Sequence, residues 1–389
     1  MLRAPSILVL SHLYPSTRSP HLGLFVARQV QALRETHDFS VVAPTRWVPP
    51  LTRSWRDERR LPRREVVDGT PVYRPRALHL PFGMTTAEAL ALPVALRSPT
   101  RDVRRVHEID LVHAHFGVPD GWAAARLVER LRVPLVVSLW GSDVLVLAAR
   151  RSPRRLLAHA LRRADHVIAP SRPILDRAIE LGADPEQSSV LMGGVPDDYS
   201  RMSRAGARAA LALSPTCRLV VWVGNLVRVK QPLLALKSIS LVAARNHDVR
   251  LALVGDGPLR SDVRTCIREL RIEHVVNVVG ALDASSVAIW QQAADVALNT
   301  SRSEGLPFAL CEALVSGTRV AAVPVGGIPQ LLAATSGGTL AEDASPEAVA
   351  DAIAHELALA PDPDLSSRSA FLRLSHVAPR LAAIYANAL

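Results

Sequence analysis

A short segment near residue 300 carries the residue types best suited to holding a diphosphate. Glu304 and Gly305 follow an apolar run, Pro307 opens a helical pattern, and Glu312 falls in the second turn of that helix. Proline is favoured at a first helical position, and the amides at a helix start attract anions. Carboxylates accept hydrogen bonds from sugar hydroxyls. The pattern therefore indicates a diphosphate site with acidic groups for sugar hydroxyls, although Glu312 on a solvated helix face is an alternative.

A second segment supplies a cation. Gly224 follows the apolar run Leu219–Val223, and Lys230 precedes a helical pattern that starts at Gln231. The glycine frees the backbone, and a lysine at a helix start acts on a phosphate as a point charge. Only two lysines occur in the chain, Lys230 and Lys237, so arginine is the default cation here. This favours a specific role for Lys230 over that of a solvated surface lysine.

Other glycine turns precede predicted helices. Gly23 stands just before the helical pattern Phe25–Glu35, where backbone amides approach a phosphate. Gly-x-Gly at 255–257 and Gly-Gly at 326–327 each follow an apolar run. Ordinary turns explain all three equally well. His113 and His115 follow a strand pattern without a third ligand at metal spacing, so we expect a structural or cleft-lining role.

These segments need a framework of parallel strands. Apolar runs, as expected of strands buried on both faces, alternate with helical patterns. The predicted strands are Ile7–Leu10, Phe39–Val42, Leu111–His113, Leu135–Ser138, His166–Ala169, Leu219–Val223, Arg250–Val254, Val275–Val279, Val296–Asn299 and Val320–Val323. They are too many for one domain of this pattern. We predict an α/β chain of two Rossmann-like, doubly wound parallel-sheet domains facing a cleft, with ligands at the carboxyl ends of the strands.

We place the first domain at 1–192, the second at 193–369, and a C-terminal helical segment at 370–389 that crosses back to the first domain. The stretch Pro44–Pro99 holds nine prolines and interrupts the alternation, with one short strand predicted at Val72–Arg74.

Composition excludes several classes of protein. The three cysteines are far apart, which excludes a disulfide framework. No uncharged apolar run reaches the length of a membrane span, and no signal-peptide pattern is present, so we expect a cytoplasmic protein. Without an Asp-x-Asp motif beside a strand, we expect neither a metal nor another cofactor.

The net charge of +10 lies in one part of the chain. Residues 1–170 carry 26 arginines against 14 acidic residues, or +12, whereas residues 171–389 carry 20 basic and 22 acidic residues, or −2. We expect the basic first half to contact an anionic membrane surface or a lipid-diphosphate acceptor rather than nucleic acid, since aromatic residues are only 4%.

The motifs taken together resemble the retaining glycosyltransferases of family 4, which have the GT-B fold. The resemblance covers nearly the whole chain, and its most specific part is the ordered set in the second domain. It rests on Gly23, 110–116, 119–121, 140–144, 164–171, 194–195, 223–230, 255–258, Glu304-x7-Glu312 and 326–329. Bacterial cell-surface polysaccharide enzymes, including those of teichuronic acid synthesis, are the most similar subgroup.

The resemblance implies roles for individual residues. Lys230 contacts the donor diphosphate, Glu312 the ribose and Glu304 the donor sugar, which makes Lys230 and Glu304 the catalytic pair. The remaining donor-binding positions are Gly23, Trp140, Gly224, Asn225, Arg228, Gly305, Leu306, Pro307 and Phe308.

The chain departs from the family pattern in places that concern catalysis rather than the fold. Asn225 replaces an arginine, for which Arg228 would compensate, and Trp140 replaces a histidine and would stack on a sugar ring. The Asn-Gly-Val-Asp junction reads Gly193-Gly194-Val195-Pro196, and Gln330 replaces a glutamate.

The expected function is metal-independent, retaining hexosyl transfer from a UDP- or GDP-sugar to a lipid-linked or polysaccharide acceptor, on the inner face of the cell membrane. A nucleotide-sugar epimerase and a non-catalytic sugar-nucleotide-binding scaffold are the alternatives.

Overall fold

A computed structural model describes residues 3–47, 61–78, 85–199, 202–214 and 216–389. The chain divides into two compact units, Met1–Gly194 with Val377–Leu389, and Val195–His376. Part of the stretch Pro44–Pro99 lies outside the described residues. Within the described ranges, no helix combines the length and the apolar character needed to cross a bilayer.

The first unit is built on a sheet of eight strands with the order β10-β9-β8-β7-β1-β2-β5-β4. Only β4 runs antiparallel to its neighbour. A separate parallel pair is formed by β3 and β6. The strands are β1 Ser6–Leu10, β2 Asp38–Val42, β3 Thr45–Trp47, β4 Arg64–Val67, β5 Thr70–Tyr73, β6 Arg76–Leu78, β7 Leu111–His115, β8 Leu135–Ser138, β9 His166–Ala169 and β10 Ser188–Val190.

Every residue of the central strands β1, β7 and β8 is buried, because helices cover this sheet. The helices of the first unit are α1 Leu24–Leu33, α2 Thr85–Ala95, α3 Arg97–Arg104, α4 Trp122–Leu131, α5 Ser142–Leu145, α6 Arg151–Arg163 and α7 Arg172–Glu180. The chain order reverses at β1, with β2 on one side and β7 on the other. The loops after β1 and β7 therefore flank a switch point, where sheets of this type bind ligands.

The second unit has a fully parallel six-stranded sheet with the order β13-β12-β11-β14-β15-β16. Its strands are β11 Arg218–Val223, β12 Val249–Val254, β13 Val276–Gly280, β14 Val296–Asn299, β15 Arg319–Ala322 and β16 Gly338–Leu340. The helices that follow are α8 Arg204–Ala210, α9 Pro232–Arg245, α10 Arg260–Leu270, α11 Ala284–Ala293, α12 Phe308–Val315, α13 Ile328–Thr335, α14 Pro346–Ala358, α15 Leu365–Arg368 and α16 Leu374–Ala388. Here the switch point lies between β11 and β14.

The last helix, α16, belongs mostly to the first unit, since the second unit ends at His376. Val377, Leu381 and Tyr385 are buried in the same core cluster as the β1 residues Ile7 and Val9. The helical segment predicted at 370–389 corresponds to α16, which begins at Leu374 and not at residue 370. A 3₁₀ turn at Ala370–Leu372 and extended backbone at Arg373 precede α16.

All ten strands predicted from apolar runs are present, with ends that differ by up to two residues. Pro307 does not occupy the first helical position as predicted. It is the N-cap of α12, with ψ 112°, and the helix begins at Phe308.

Candidate functional site

In the second unit, the loops after β11 and β12 are joined by glycines. Gly255 has φ +138°, and a Cβ there would lie 1.9 Å from the carbonyl oxygen of Gly224. A Cβ on Gly257 would lie 2.7 Å from the carbonyl oxygen of Leu226. The Leu226 amide donates to the Asp256 carbonyl at 3.0 Å. Any side chain at these glycines would separate the two loops, so the Gly-x-Gly pattern is a packing requirement.

The loops after β14 and β15 are joined in the same way. Gly326 has φ +57°, and its added Cβ would lie 1.8 Å from the carbonyl oxygen of Glu304. The Gly327 amide donates to the Gly305 carbonyl at 3.0 Å. The Gly-Gly sequence thus fixes the backbone that carries Glu304.

Lys230 and Glu304, predicted separately from two motifs, form an ion pair. Lys230 Nζ donates to Glu304 Oε1 at 2.6 Å, and their side chains are 29% and 9% exposed. Thr300 anchors the lysine loop. Its hydroxyl lies 3.0 Å from the carbonyl oxygens of Lys230 and Gln231 and accepts from Trp222 Nε1 at 3.0 Å. The switch point between β11 and β14 therefore holds a cation and a carboxylate on fixed backbone.

The start of α12 is next to this pair in sequence. Gly305, Leu306 and Pro307 are buried, and Phe308 is half-buried. The first turn of α12 contains no acidic residue, so nothing there opposes an anion at the helix start. Glu312 is half-buried in the second turn, and together with burial it raises the pKa of the adjacent Cys311 thiol.

Two polar residues of the loop after β11 are exposed. Asn225 and Arg228 are both open to solvent, and Gly224 before them is partly buried. Arg228 begins the 3₁₀ turn Arg228–Lys230. Its guanidinium forms no ion pair or hydrogen bond with another residue of the described chain. The loop thus presents a second, exposed cation close in sequence to Lys230.

In the first unit, the loop after β1 borders a cavity of about 450 Å³. Gly23 has φ +70° at the N-cap of α1, and its added Cβ would lie 2.2 Å from the Leu13 carbonyl oxygen. The glycine therefore lets the loop fold closely onto itself. Polar residues of the cavity wall include His12, Tyr14, Arg74, Glu88 and Ser142, among a larger number of apolar ones.

Two pairs beside this cavity, each with a buried carboxylate, were not predicted. His12 Nδ1 contacts the fully buried Asp120, whose pKa is raised by burial against the lowering effect of His12. Buried Arg74 donates to Glu65, its neighbour across the β4–β5 hairpin, and to the carbonyl oxygen of Pro15. The sequence signal for the first pair was a polar residue in each of the two loops that flank a switch point, His12 after β1 and Asp120 after β7.

Trp140 belongs to an aromatic cluster. Its ring centroid lies 4.2 Å from that of Phe25 and 5.8 Å from that of His115, with the latter ring stacked. The following loop is held by buried Asp143, which accepts backbone hydrogen bonds from Gly117, Trp140, Gly141 and Val144 at 2.9 to 3.3 Å. Stacking of Trp140 on a sugar ring stays a prediction.

His113 has a structural role. Its two ring nitrogens lie 2.7 Å from the Tyr385 hydroxyl and 2.8 Å from the Ser138 hydroxyl. Burial lowers the pKa of His113 to about 3, and burial also lowers the pKa of His115. In the described part of the chain, no three His, Cys, Asp or Glu side chains are grouped so as to hold a metal ion.

Comparisons with known proteins agree with this layout. Residues 22–199 match the family model described as Glycosyltransferase Family 4, and residues 217–358 match Glycosyl transferases group 1. The chain is 31% identical over 337 residues to TuaC of Bacillus subtilis (strain 168), a glycosyltransferase assigned to teichuronic acid biosynthesis. The match covers 84% of this chain and 82% of TuaC.

Solved structures share the fold. Sucrose-phosphate synthase from Thermosynechococcus elongatus superposes with a TM-score of 0.77 at 20% identity, covering 99% of each chain. Anabaena HepE in complex with UDP and glucose gives 0.72 at 18% identity, covering 98% of this chain and all of HepE. Two doubly wound α/β domains of this kind define the GT-B fold. The chain belongs to glycosyltransferase family 4, which confirms the predicted fold and family.

Proposed function

We propose that the protein transfers a hexose, with retention at the anomeric carbon, from a UDP- or GDP-sugar to a lipid-linked or polysaccharide acceptor in cell-surface glycan synthesis. The observation that carries this proposal is the Lys230–Glu304 pair at the switch point between β11 and β14. The similarity to TuaC supports a polysaccharide product, and UDP in the HepE complexes supports a nucleotide donor.

In this proposal the donor diphosphate occupies the second unit. Negative charge grows on the leaving diphosphate as the glycosidic bond breaks, and Lys230 with the start of α12 stabilises that charge electrostatically. Asn225 stands where the family pattern has an arginine, and Arg228 supplies the positive charge that is missing there. Glu312 accepts hydrogen bonds from the ribose hydroxyls, and Glu304 stabilises the oxocarbenium-like sugar. Because protein groups supply the cations, the proposed reaction requires no metal.

The acceptor is assigned to the first unit, in the cavity bordered by His12 and Arg74. A volume of about 450 Å³ is in the range of sites for small ligands. Retention needs the acceptor hydroxyl to attack from the side of the leaving group, with that diphosphate taking the proton. No enzyme nucleophile is part of the proposed mechanism.

A thermal-shift screen against UDP, GDP, ADP and their hexose conjugates tests the donor. A ligand that binds only the folded protein raises its melting temperature with concentration, so the true nucleotide stands apart from the others. Stabilisation by none of them would reject the proposal. Formation of a sugar isomer without acceptor would indicate an epimerase, and donor binding without transfer to lipid-linked acceptors would indicate a scaffold.

Lys230→Ala tests the residue that carries the proposal. We expect transfer to fall by about 10²–10³, as for the loss of one electrostatic contact to a transition state. Lys237→Ala is the matched control, since Lys237 is the other lysine and is exposed on α9. Equal activity of the two variants would remove Lys230 from the mechanism.

A further inference from the structure

We propose that the first unit docks on an anionic phospholipid bilayer through the α5–α6 surface, which comprises Leu145, Val146, Arg151, Arg154 and Arg155. The inference deepens the proposed function and rests on it in one respect: a lipid-linked acceptor is held in the membrane, so the enzyme would meet it at the membrane surface.

Two adjacent apolar side chains project from this surface. Leu145 is 40% exposed and Val146 is 56% exposed. They stand between the end of α5 and the 3₁₀ turn Leu147–Ala149. Burial of such side chains at the boundary between headgroups and acyl chains removes apolar area from water, which favours binding.

Three arginines complete the surface. Arg151, Arg154 and Arg155 are exposed on the first two turns of α6. Their guanidinium groups pair with nothing in the described chain. Positive charge at a helix start is unfavourable, so helix stability does not account for this placement. Between residues 144 and 164 the chain has six arginines and no acidic residue. The matching partner is a surface of dense negative charge.

The surface adjoins the acceptor cavity of the same unit. Ser142 and Leu147, which precede and follow the exposed apolar pair, both line that cavity. A bilayer held against Leu145 and Val146 therefore lies at the rim of the cavity. A lipid-linked acceptor would then reach it without leaving the membrane, which a nucleic acid or an acidic protein on the same arginines would not explain.

Sedimentation of the full chain with vesicles tests the proposal. We expect binding to phosphatidylcholine vesicles that contain about 30 mol% phosphatidylglycerol, weakening as salt is raised, and little binding to pure phosphatidylcholine. Arg151→Gln with Arg154→Gln and Arg155→Gln should weaken binding roughly hundredfold, at about fivefold per arginine. Leu145→Ser with Val146→Ser should abolish the part of the binding that survives high salt.

A matched triple variant separates this surface from net charge. Arg104, Arg130 and Arg132 are exposed, and they lie at the ends of α3 and α4, just before β7 and β8 begin. The α5–α6 surface follows the opposite end of β8. Replacing these three by Gln removes equal charge and should change binding by less than about threefold.

Equal loss in both triple variants, or no binding of the unaltered protein to anionic vesicles at low salt, would overturn the proposal. Binding to heparin but not to vesicles would also overturn it. UDP-dependent stabilisation is measured in parallel on the unaltered protein and on every variant, and should be retained. Absence of stabilisation of the unaltered protein by UDP, GDP, ADP and their hexose conjugates alike would reject the proposed function and leave the vesicle result standing.

Discussion

Both members of the charged pair at the centre of the candidate site, Lys230 and Glu304, are assigned to the same ligand, the nucleotide-sugar donor. Glu304 holds Lys230 at 2.6 Å and offsets its charge. A bound diphosphate would compete with the carboxylate for the ammonium group. In the proposed mechanism, Lys230 would therefore exchange the carboxylate for the diphosphate when the donor binds.

Glu304→Gln separates these two roles of the carboxylate. The variant keeps the shape of the side chain but removes the charge that competes with the diphosphate. We expect UDP to bind at least as tightly as to the unaltered protein, whereas transfer falls by about 10²-fold or more. Calorimetry with UDP and an initial-rate assay measure the two quantities. Lys230→Ala, which should lose both UDP affinity and transfer, is the reference. If Glu304→Gln also lost both, the carboxylate would not compete with the diphosphate as proposed.

Acid should destabilise the first unit through its buried histidines. Burial lowers the pKa of His113 to about 3 in the folded protein, whereas an unfolded histidine titrates near 6.5. Between these values the unfolded state binds the extra proton. Stability is therefore complete above about pH 6.5 and falls below it, by up to about 1.4 kcal/mol per pH unit for one histidine.

His113→Gln should make this slope shallower by up to one proton, even though it lowers stability at neutral pH. Urea unfolding at pH values from about 7.5 down to about 5 measures how the free energy of unfolding depends on pH. Hydrogen exchange in β7 reports on the first unit. His107→Gln, at an exposed position, is the control. If His113→Gln had the same pH dependence as the unaltered protein, His113 would bind its proton equally well in the folded and unfolded states, and its pKa would not be lowered by burial.

Single residues were predictable where a motif announced them. Lys230 and Glu304 each lie in a loop that follows an apolar run and contains a glycine, Gly224 before the lysine and Gly305 after the glutamate. The sheet order brings those loops together. The pair of Arg74 and Glu65 could not be predicted, since it depends on β4, a half-exposed strand without an apolar run. Which side chains meet across a sheet is set by strand order and register, and neither is written in the local sequence.

At the scale of elements, the glycine contacts determine how closely the loops that carry Lys230 and Glu304 pack on their neighbours. Gly326→Ala adds a Cβ at 1.8 Å from the Glu304 carbonyl oxygen and also forces alanine into a left-handed conformation. Gly280→Ala is the matched control, because Gly280 has φ +90° and nothing within 4 Å of its added Cβ. The control isolates the backbone strain of about 1–2 kcal/mol.

We expect Gly280→Ala to lose only that stability and to keep transfer. Gly326→Ala should lose more stability and at least tenfold in transfer, since a displacement of about 1 Å at a reacting group is costly. Chemical denaturation and initial rates of both variants provide the measurement. Comparable transfer rates would show that the Gly326 contact does not position Glu304.

The buried central strands were predictable, and the edges of the sheets were not. β1, β7 and β8 are buried along their whole length and mostly apolar, as expected of strands covered on both faces. Among the strands without a prediction, β10 and β16 are each three residues long and half-buried at a sheet edge. Their pairing comes from a neighbouring strand that is already in place, so their own residues carry little signal.

At the scale of the whole molecule, the first unit is discontinuous in sequence. Its sheet is complete by Val190, yet part of its core is supplied by α16 after the chain has formed the second unit. Leu381 is 1% exposed in the cluster that holds Ile7 and Val9, and Tyr385 bonds to His113. The stability of the first unit should therefore depend on the last residues of the chain.

Leu381→Ala tests this dependence, with Leu389→Ala as its control. Truncating a fully buried leucine costs about 2–5 kcal/mol, which lowers the melting temperature of a unit of this size by roughly 5–15 °C. Leu389 is 54% exposed, so its truncation should change little. Calorimetry should show the transition of the first unit moving in Leu381→Ala while the transition of the second unit stays in place. If both transitions moved together, the two units would unfold as one cooperative body, and α16 would stabilise the whole enzyme and not the first unit alone.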